Sequence, residues 1–376
     1  MDYNIDITKE EAERLQRRRE RVERMRKEKQ LQLRRRRMMK RLMKNVAGIV
    51  VMVLVIIMAG VIIRSKSKET VDAGTETEAV TQPETEATLP EEIVQEEIML
   101  AQKEEAPYQF SATSQTKSIY SEEVISSNVI LIDENTDTIV ASKGAKERIS
   151  PASMTKVLTI LVAAEHITEE QLDDIFVMTR EITDYGYIND CSSVGFLDGE
   201  EIKVRDLFYG TILPSGCDAA VGLATYVAGS HEAFVELMNE KLAELGLGET
   251  SHYTNCVGLY DKEHYSTVYD MAVIMKAAIQ SDFCKEVLSK HRYVTQATTE
   301  HPEGIDISNW FLRRIEDKDT GGEVLCAKTG YVMQSKNCAV SYGIFEGGAP
   351  YICVTAGSSS SWRCIYDHVE IYNEYI

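Results

Sequence analysis

One long apolar segment divides this chain of 376 residues into two parts of opposite charge. Every residue between Lys44 and Arg64 is uncharged, and residues 46–63 read VAGIVVMVLVIIMAGVII. A helix of this length rises about 27 Å, close to the hydrocarbon thickness of a bilayer. A cleaved signal peptide has a shorter apolar run and a much shorter basic lead-in. The sequence therefore predicts a single transmembrane helix over residues 46–63.

The charges on either side of this segment indicate its orientation. Residues 1–44 carry 17 Lys or Arg and 8 Asp or Glu. The whole chain has 41 basic and 60 acidic residues, so the part after residue 44 carries 24 basic and 52 acidic residues. Basic flanks stay inside the cell. We therefore expect residues 1–45 to be a basic cytoplasmic segment and the rest to lie outside the cell membrane. So acidic an outer part would be repelled by phosphate backbones, which argues against a nucleic-acid partner.

The segment after the apolar run has the composition of a tether. Residues 69–105 contain 12 acidic residues and one basic residue, Lys103, together with Pro83 and Pro90 and no aromatic residue. Such a segment cannot bury enough apolar surface to fold. The prediction is an acidic disordered linker over residues 64–113, followed by one compact folded domain over residues 114–376.

The outer domain has strand signals near both of its ends and helical signals between them. The pattern therefore predicts an α+β domain whose sheet unites the start and the end of the chain. The predicted strands are 128–133, 138–141, 323–327, 338–344 and 351–356, and the predicted helices include 153–166, 218–228, 231–245, 267–279 and 362–375.

Three short motifs follow one another along this domain. They are Ser153-Met154-Thr155-Lys156 at a predicted helix start, Ser215-Gly216-Cys217, and Lys328-Thr329-Gly330 at the end of a predicted strand. Each motif alone is a weak signal, since a serine near a lysine or a lysine in a turn is common. Their order and structural context together point to a serine acyl-enzyme.

With these motifs, the sequence resembles the low-molecular-mass penicillin-binding D-alanyl-D-alanine carboxypeptidases. The resemblance extends over about residues 125–376 and includes RISPASMTKVLT, GEEIKVRDLFYGTILPSGCDAA, GLYDKEHYST and CAKTGY. It implies the serine β-lactamase and penicillin-binding-protein fold, an antiparallel sheet flanked by helices plus a helical subdomain. It also implies peptidoglycan stem peptides ending in D-Ala-D-Ala as substrates, β-lactams as covalent inhibitors, and no cofactor.

The resemblance assigns three residues to the chemistry. Ser153 would be the nucleophile, and Lys156, one helical turn later on the same face, would take its proton. Burial and the nearby charge of Lys328 would favour the uncharged form of that amine. Ser215 would bridge proton transfer to the leaving amine.

The remaining residues of the motifs would hold the substrate. By the resemblance, Lys328 and Thr329 bind its terminal carboxylate, and Gly330 lets the peptide approach the strand. The backbone N–H of Tyr331 would join that of Ser153 in an oxyanion hole. Residues 255, 258 and 264–266 (Asn255, Gly258, His264, Tyr265, Ser266) also lie in family-like segments and are interpreted as structural.

Cys217 departs from the family pattern, which usually has asparagine at this position. A thiol donates and accepts hydrogen bonds weakly, so contacts to the substrate or to Lys156 should be impaired. This keeps two alternatives open: a D,D-transpeptidase, and a weakly catalytic module that binds the wall or senses β-lactams. The eight Cys lack zinc-ligand spacing and the seven His form no metal motif, so no metal site is expected.

Overall fold

The structure, a computed structural model, describes residues 106–376. The predicted cytoplasmic segment, the predicted transmembrane helix over 46–63 and all but the last residues of the predicted linker lie outside the described residues. Among the helices of residues 106–376, none is both long enough and apolar enough to cross a membrane.

A six-stranded sheet joins the two ends of the described chain, as the sequence predicts. The strands run in the order β1-β3-β2-β10-β9-β8, so the early β2 pairs with the late β10, antiparallel, with Ile132 opposite Ile352. The six strands are β1 (Ser111–Ser118), β2 (Asn128–Asp133), β3 (Thr138–Lys143), β8 (Gly322–Val332), β9 (Lys336–Phe345) and β10 (Pro350–Ser358).

The central strands are apolar in almost every position because both faces of the sheet are covered. Successive side chains of a strand point to opposite faces. In β2, Ile130 and Ile132 face the main core, whereas Val129 and Leu131 face a second core. The C-terminal helix α9 (Ser361–Tyr375) contributes to this second core and packs against β9 and β10. A continuous apolar run in β2 is therefore what this two-sided burial requires.

Helices on the main-core side form the helical subdomain and cover the sheet. The helix α1 (Thr155–Glu165) is buried from Thr155 to Ala163 and packs against the helices around it. The other helices on this side are α2 (Arg180–Asn189), α3 (Val204–Ile212), α4 (Cys217–Ala228), α5 (His231–Glu244), α6 (Val268–Gln280) and α7 (Asp282–Ser289), whereas α8 (Leu312–Ile315) contributes to the second core. Two small sheets pair β4 (Ile175–Val177) with β5 (Glu201–Lys203), and β6 (Arg292–Val294) with β7 (Asp306–Ser308).

The sheet differs from the expected architecture at both of its edges. It is mixed rather than wholly antiparallel, because β1 runs parallel to β3. Strand β1 begins at Ser111, before the boundary expected from composition, and its mostly exposed residues SATSQTKS give no apolar alternation. Strand β8 continues past Lys328 to Val332, since Thr329, Gly330 and Tyr331 each pair with β9. The third motif therefore lies within a strand rather than at its end.

Candidate active site

Ser153 and Lys156 meet at the start of the buried helix α1. A 3-10 turn over Ala152–Met154 precedes the helix, so Ser153 lies just before the first α-helical turn and Lys156 lies within it. The Lys156 Nζ atom lies 3.1 Å from Ser153 Oγ. Lys156 is completely buried. A hydroxyl and a buried amine at hydrogen-bond distance are a nucleophile and a candidate base.

A backbone carbonyl holds the Lys156 amine in place. Lys156 Nζ donates to the carbonyl oxygen of Val257 at 2.7 Å, which is shorter than its contact with Ser153. That carbonyl belongs to a turn shaped by Asn255, whose Oδ1 accepts from the N–H groups of residues 257, 258 and 259 at 3.2, 2.8 and 2.9 Å. Asn255 thus fixes the direction of the carbonyl that aims the amine.

Gly258 lets the same turn pack directly on the nucleophile turn. Its φ of +81° lies in the left-handed region, and a Cβ there would lie 1.8 Å from the carbonyl oxygen of Ala152. No side chain fits at that distance, so the position requires glycine. The close contact brings the Asn255 turn against the residue that precedes Ser153.

The second motif forms a turn that contacts both lysines. Ser215 has a φ of +62°, unusual for a residue with a side chain, and Cys217 begins α4. Ser215 Oγ accepts from Lys328 Nζ at 2.9 Å, while Cys217 Sγ lies 3.7 Å from Lys156 Nζ. The turn therefore links the amine beside the nucleophile to the amine on β8.

The third motif brings β8 against the nucleophile. Lys328 is 1% exposed, and its Nζ also donates to the carbonyl oxygen of Thr329 at 2.8 Å. A Cβ at Gly330 would lie 2.9 Å from Ser153 N and 2.8 Å from Cys338 Sγ. Glycine here makes room for the nucleophile's backbone, a reason that the sequence did not suggest. Tyr331, at 64% exposure, stands at the rim of the site.

Two buried amines in one site disfavour two positive charges. Burial, and then the charge of Lys156, hold the pKa of Lys328 well below its usual range. A carboxylate bound beside Lys328 would offset both effects and stabilise its ammonium form. A carboxylate ligand at this position would therefore favour the charged form of Lys328.

Cys217 has an acidic thiol for a buried residue. A hydrogen bond from Cys191 lowers its pKa, burial opposes this, and the charge of Lys156 lowers it further, which places the pKa at about 7. The same hydrogen bond raises the pKa of Cys191 far above its usual value. All eight cysteines of the chain lie in the described part, and all are free thiols.

The other residues singled out in the sequence have structural contacts. Burial keeps His264 neutral by lowering its pKa to about 3, and its Nε2 lies 2.9 Å from Thr155 Oγ1. Tyr265 lies under Arg148, and Ser266 Oγ lies 2.8 Å from Ser251 Oγ. The Val257 carbonyl and Cys191 carried no sequence signal, because a backbone atom leaves none and Cys191 belongs to no motif. Residues 106–376 contain no cluster of three or more His, Cys, Asp or Glu able to hold a metal ion.

Comparison with known proteins identifies a family match. The family model for D-alanyl-D-alanine carboxypeptidase matches residues 112–360. The chain is 28% identical over 235 residues to D-alanyl-D-alanine carboxypeptidase DacF of Bacillus subtilis, covering 62% of this chain and 57% of that protein. It is 38% identical over 156 residues to D-alanyl-D-alanine carboxypeptidase DacC of Escherichia coli, and the match covers 40% of this chain and 38% of that protein. The chain thus spans about half or less of the length of these two curated relatives.

Solved structures show the same similarity. The DD-transpeptidase of a Streptomyces strain superimposes with a TM-score of 0.61 at 25% identity, covering 69% of this chain and all of that one. Solved variants of that protein include substitutions of a serine and of a cysteine two positions later, the spacing of Ser215 and Cys217. A D-alanyl-D-alanine carboxypeptidase from Mycobacterium tuberculosis superimposes at 0.58 with 22% identity, covering 67% of this chain and 91% of that one.

Replacing Asn255 with alanine tests how firmly the Val257 turn is held. Asn255→Ala leaves three backbone N–H groups without their acceptor, so we expect unfolding free energy to fall by about 2 kcal/mol in urea titrations. Asn255→Asp, which keeps an acceptor oxygen, should lower the free energy of unfolding by a smaller amount. Asn373→Ala removes one exposed hydrogen bond to Asp319 and should change stability by less than about 0.5 kcal/mol. Equal losses for Asn255→Ala and Asn373→Ala would show that the turn does not depend on Asn255.

The acidity of Cys217 can be measured by titrating thiolate absorbance in the ultraviolet. The difference between the wild-type chain and Cys217→Ser should rise with a midpoint near pH 7, well below the pH of about 8.5 at which a free thiol titrates. Cys191→Ala removes the hydrogen-bond donor and should move the midpoint upward. A wild-type midpoint at or above that of a free thiol would contradict the assignment.

Proposed function

The chain belongs to the D-alanyl-D-alanine carboxypeptidase family, whose model matches 249 of its 376 residues, and from this membership we propose that it is a serine-type D-Ala-D-Ala carboxypeptidase. It would trim peptidoglycan stem peptides through an acyl-enzyme and be acylated by β-lactams. The observation that carries the proposal is the 3.1 Å contact between Lys156 Nζ and Ser153 Oγ.

Acylation uses the Ser153 and Lys156 pair. Ser153 Oγ attacks the carbonyl carbon of the penultimate D-alanine while its proton moves to the uncharged amine of Lys156. The carbonyl oxygen becomes an oxyanion, which the backbone N–H groups of Ser153 and Tyr331 would stabilise. The Val257 carbonyl favours this step, since it accepts a hydrogen bond from the ammonium that forms.

Departure of the terminal D-alanine uses the Ser215 turn. The C–N bond breaks as the leaving nitrogen takes a proton through Ser215, and the proton that Lys156 received from Ser153 replaces it, so Lys156 is uncharged again. The contact between Ser215 Oγ and Lys328 Nζ supports this relay. Water then adds to the acyl-enzyme and gives a proton to Lys156. The ester bond to Ser153 Oγ breaks, the shortened peptide leaves with a new carboxylate, and the proton returns from Lys156 to Ser153 Oγ.

Substrate binding in this proposal uses the strand of the third motif. The terminal carboxylate would lie beside Lys328 and Thr329, where it would stabilise the ammonium form of Lys328. The carboxylate of the ligand would thus stabilise the positive charge on Lys328 that binds it. The hydroxyl of Thr329 would supply a second donor to the carboxylate.

Transpeptidation is the second candidate function. Here an amine rather than water attacks the acyl-enzyme, and all other steps remain the same. Two observations favour it: the superimposed Streptomyces protein is named a DD-transpeptidase, and it too has a cysteine two positions after a serine. A weakly catalytic module that senses β-lactams is the third hypothesis. Such a module would be acylated but would not turn over substrate.

We also propose that residues 46–63 anchor the protein in the cell membrane with the N-terminus in the cytoplasm. The uncharged run, the basic flank before it and the acidic sequence after it support this placement. The catalytic domain would then lie outside the membrane, where the cell-wall substrate is found, and the acidic sequence between residue 63 and the start of that domain would hold it at a distance.

Turnover is tested by D-alanine release from a pentapeptide ending in D-Ala-D-Ala, using the purified full chain. Ser153→Ala should lower the rate by at least about 10³-fold and abolish labelling by a fluorescent penicillin. Ser289→Ala, a partly buried serine outside the site, serves as the matched control. Adding an acceptor amine separates the two enzymatic readings, because a transpeptidase yields the coupled peptide. Normal D-alanine release by Ser153→Ala would refute the proposed nucleophile.

Anchoring is tested by placing charge in the apolar segment. Arginines at Val53 and Ile57 each cost about 3 kcal/mol at the centre of a membrane helix, so the protein should move from the membrane pellet to the supernatant or be degraded. Leucines at the same two positions should leave it in the pellet. Retention of the arginine variant in carbonate-washed membranes would exclude this segment as the anchor.

A further inference from the structure

An open cavity lies beside the nucleophile turn, outside the residues assigned to the chemistry. Its volume is about 370 Å³. Its lining includes Ile149 and Ser150, and Ser150 lies three residues before Ser153. Residues of the 260–265 loop also line it, as do Gln334, Ser335 and Lys336 at the tip of the β8–β9 hairpin. The cavity therefore adjoins both the nucleophile and the strand that carries the third motif.

The charged residues that line this cavity are mostly basic. Arg148, Lys262 and Lys336 line it, against one acidic residue, Asp261. His264 also lines it but is uncharged, because burial lowers its pKa to about 3. This excess of cations stands out in a chain whose residues after position 44 carry 24 basic and 52 acidic side chains. The cavity is suited to an anionic group.

Two of these cations are available to a ligand. Within residues 106–376, neither Arg148 nor Lys336 forms a salt bridge, whereas Lys262 Nζ lies 3.3 Å from a carboxylate oxygen of Glu263. The Arg148 guanidinium stacks on the ring of Tyr265, 3.5 Å from its centroid. Stacking holds the guanidinium plane while its edge N–H groups can still donate to a carboxylate.

The proposed substrate pose leads the peptide toward this cavity. With the terminal carboxylate at Lys328 and Thr329 and the scissile carbonyl at Ser153, the residues before the D-Ala-D-Ala pair continue along β8 toward its hairpin tip. An extended chain rises about 3.3 Å per residue. Val332, two residues beyond Gly330, pairs with Lys336 at that tip. One or two further residues of peptide therefore reach the cavity.

Resting on the proposed function, we propose that this cavity is an acyl-donor subsite for a free carboxylate, carried by one of the two residues before the D-Ala-D-Ala pair. Arg148 and Lys336 bind the carboxylate. The subsite makes the protein selective for acidic donor peptides over their neutral counterparts. Selectivity of this kind arises because an amide cannot form the charge-assisted hydrogen bonds that a carboxylate accepts.

The test compares matched donors with the full chain. Acetyl-Glu-Ala-D-Ala-D-Ala is compared with acetyl-Gln-Ala-D-Ala-D-Ala, and acetyl-Ala-Glu-D-Ala-D-Ala is compared with acetyl-Ala-Gln-D-Ala-D-Ala. We expect kcat/KM for D-alanine release to favour the acid about fivefold in at least one pair, a factor limited by solvent screening in an open site. Arg148→Gln and Lys336→Gln should each reduce that preference to near one, chiefly by slowing the acidic donor. Arg313→Gln, an exposed arginine outside the cavity, is the control.

Calorimetric binding of the same donors to Ser153→Ala separates this inference from the proposed function. Tighter binding of the acidic donor, lost in the Arg148→Gln and Lys336→Gln backgrounds, supports the subsite even if turnover is absent. Equal binding and equal kcat/KM within each pair overturn the subsite while leaving the enzyme intact. Labelling by fluorescent penicillin should be unchanged in both cavity variants, since they leave the nucleophile untouched.

Discussion

Two lysine amines buried in one site are the constraint on which the rest of this structure depends. Lys156 and Lys328 both lie out of solvent, and each needs partners that replace water. Ser153, Val257 and the Ser215–Cys217 turn supply those partners. Burial and the charge of Lys156 together lower the pKa of Lys328, so the arrangement that is costly for folding also changes proton affinity within the site.

Backbone geometry, rather than additional side chains, brings these groups together. Gly258 and Gly330 have no Cβ because Ala152 and Ser153 occupy the space that a Cβ would need. The nucleophile turn is thus held between a loop and a strand at distances only glycine allows. Asn255 then orients the carbonyl that aims Lys156. Because the backbone already fixes the positions of Ser153 and Lys156, little free energy is needed to orient the two groups when they react.

The sequence predicted the parts of this fold that depend on local pattern. Strands β2, β9 and β10 and helix α1 were predictable because their apolar residues are dense and nearly continuous, and the three motifs marked the side chains that meet. Strand β1 was not predictable, since its partner β3 supplies the pairing and its own residues are polar and exposed. The Val257 carbonyl and the Cys191 contact depend on long-range packing, which local periodicity does not encode.

Cys217 changes the charge balance of the site in a way that asparagine would not. An amide stays neutral at every physiological pH, whereas a thiol with a pKa of about 7 is half ionised there. A thiolate 3.7 Å from Lys156 Nζ would offset part of the repulsion between the two lysines. The charge of Cys217 also acts on Lys328, where it opposes the fall in pKa that burial and Lys156 cause. The side chain at this position therefore sets part of the charge balance on which substrate binding would depend.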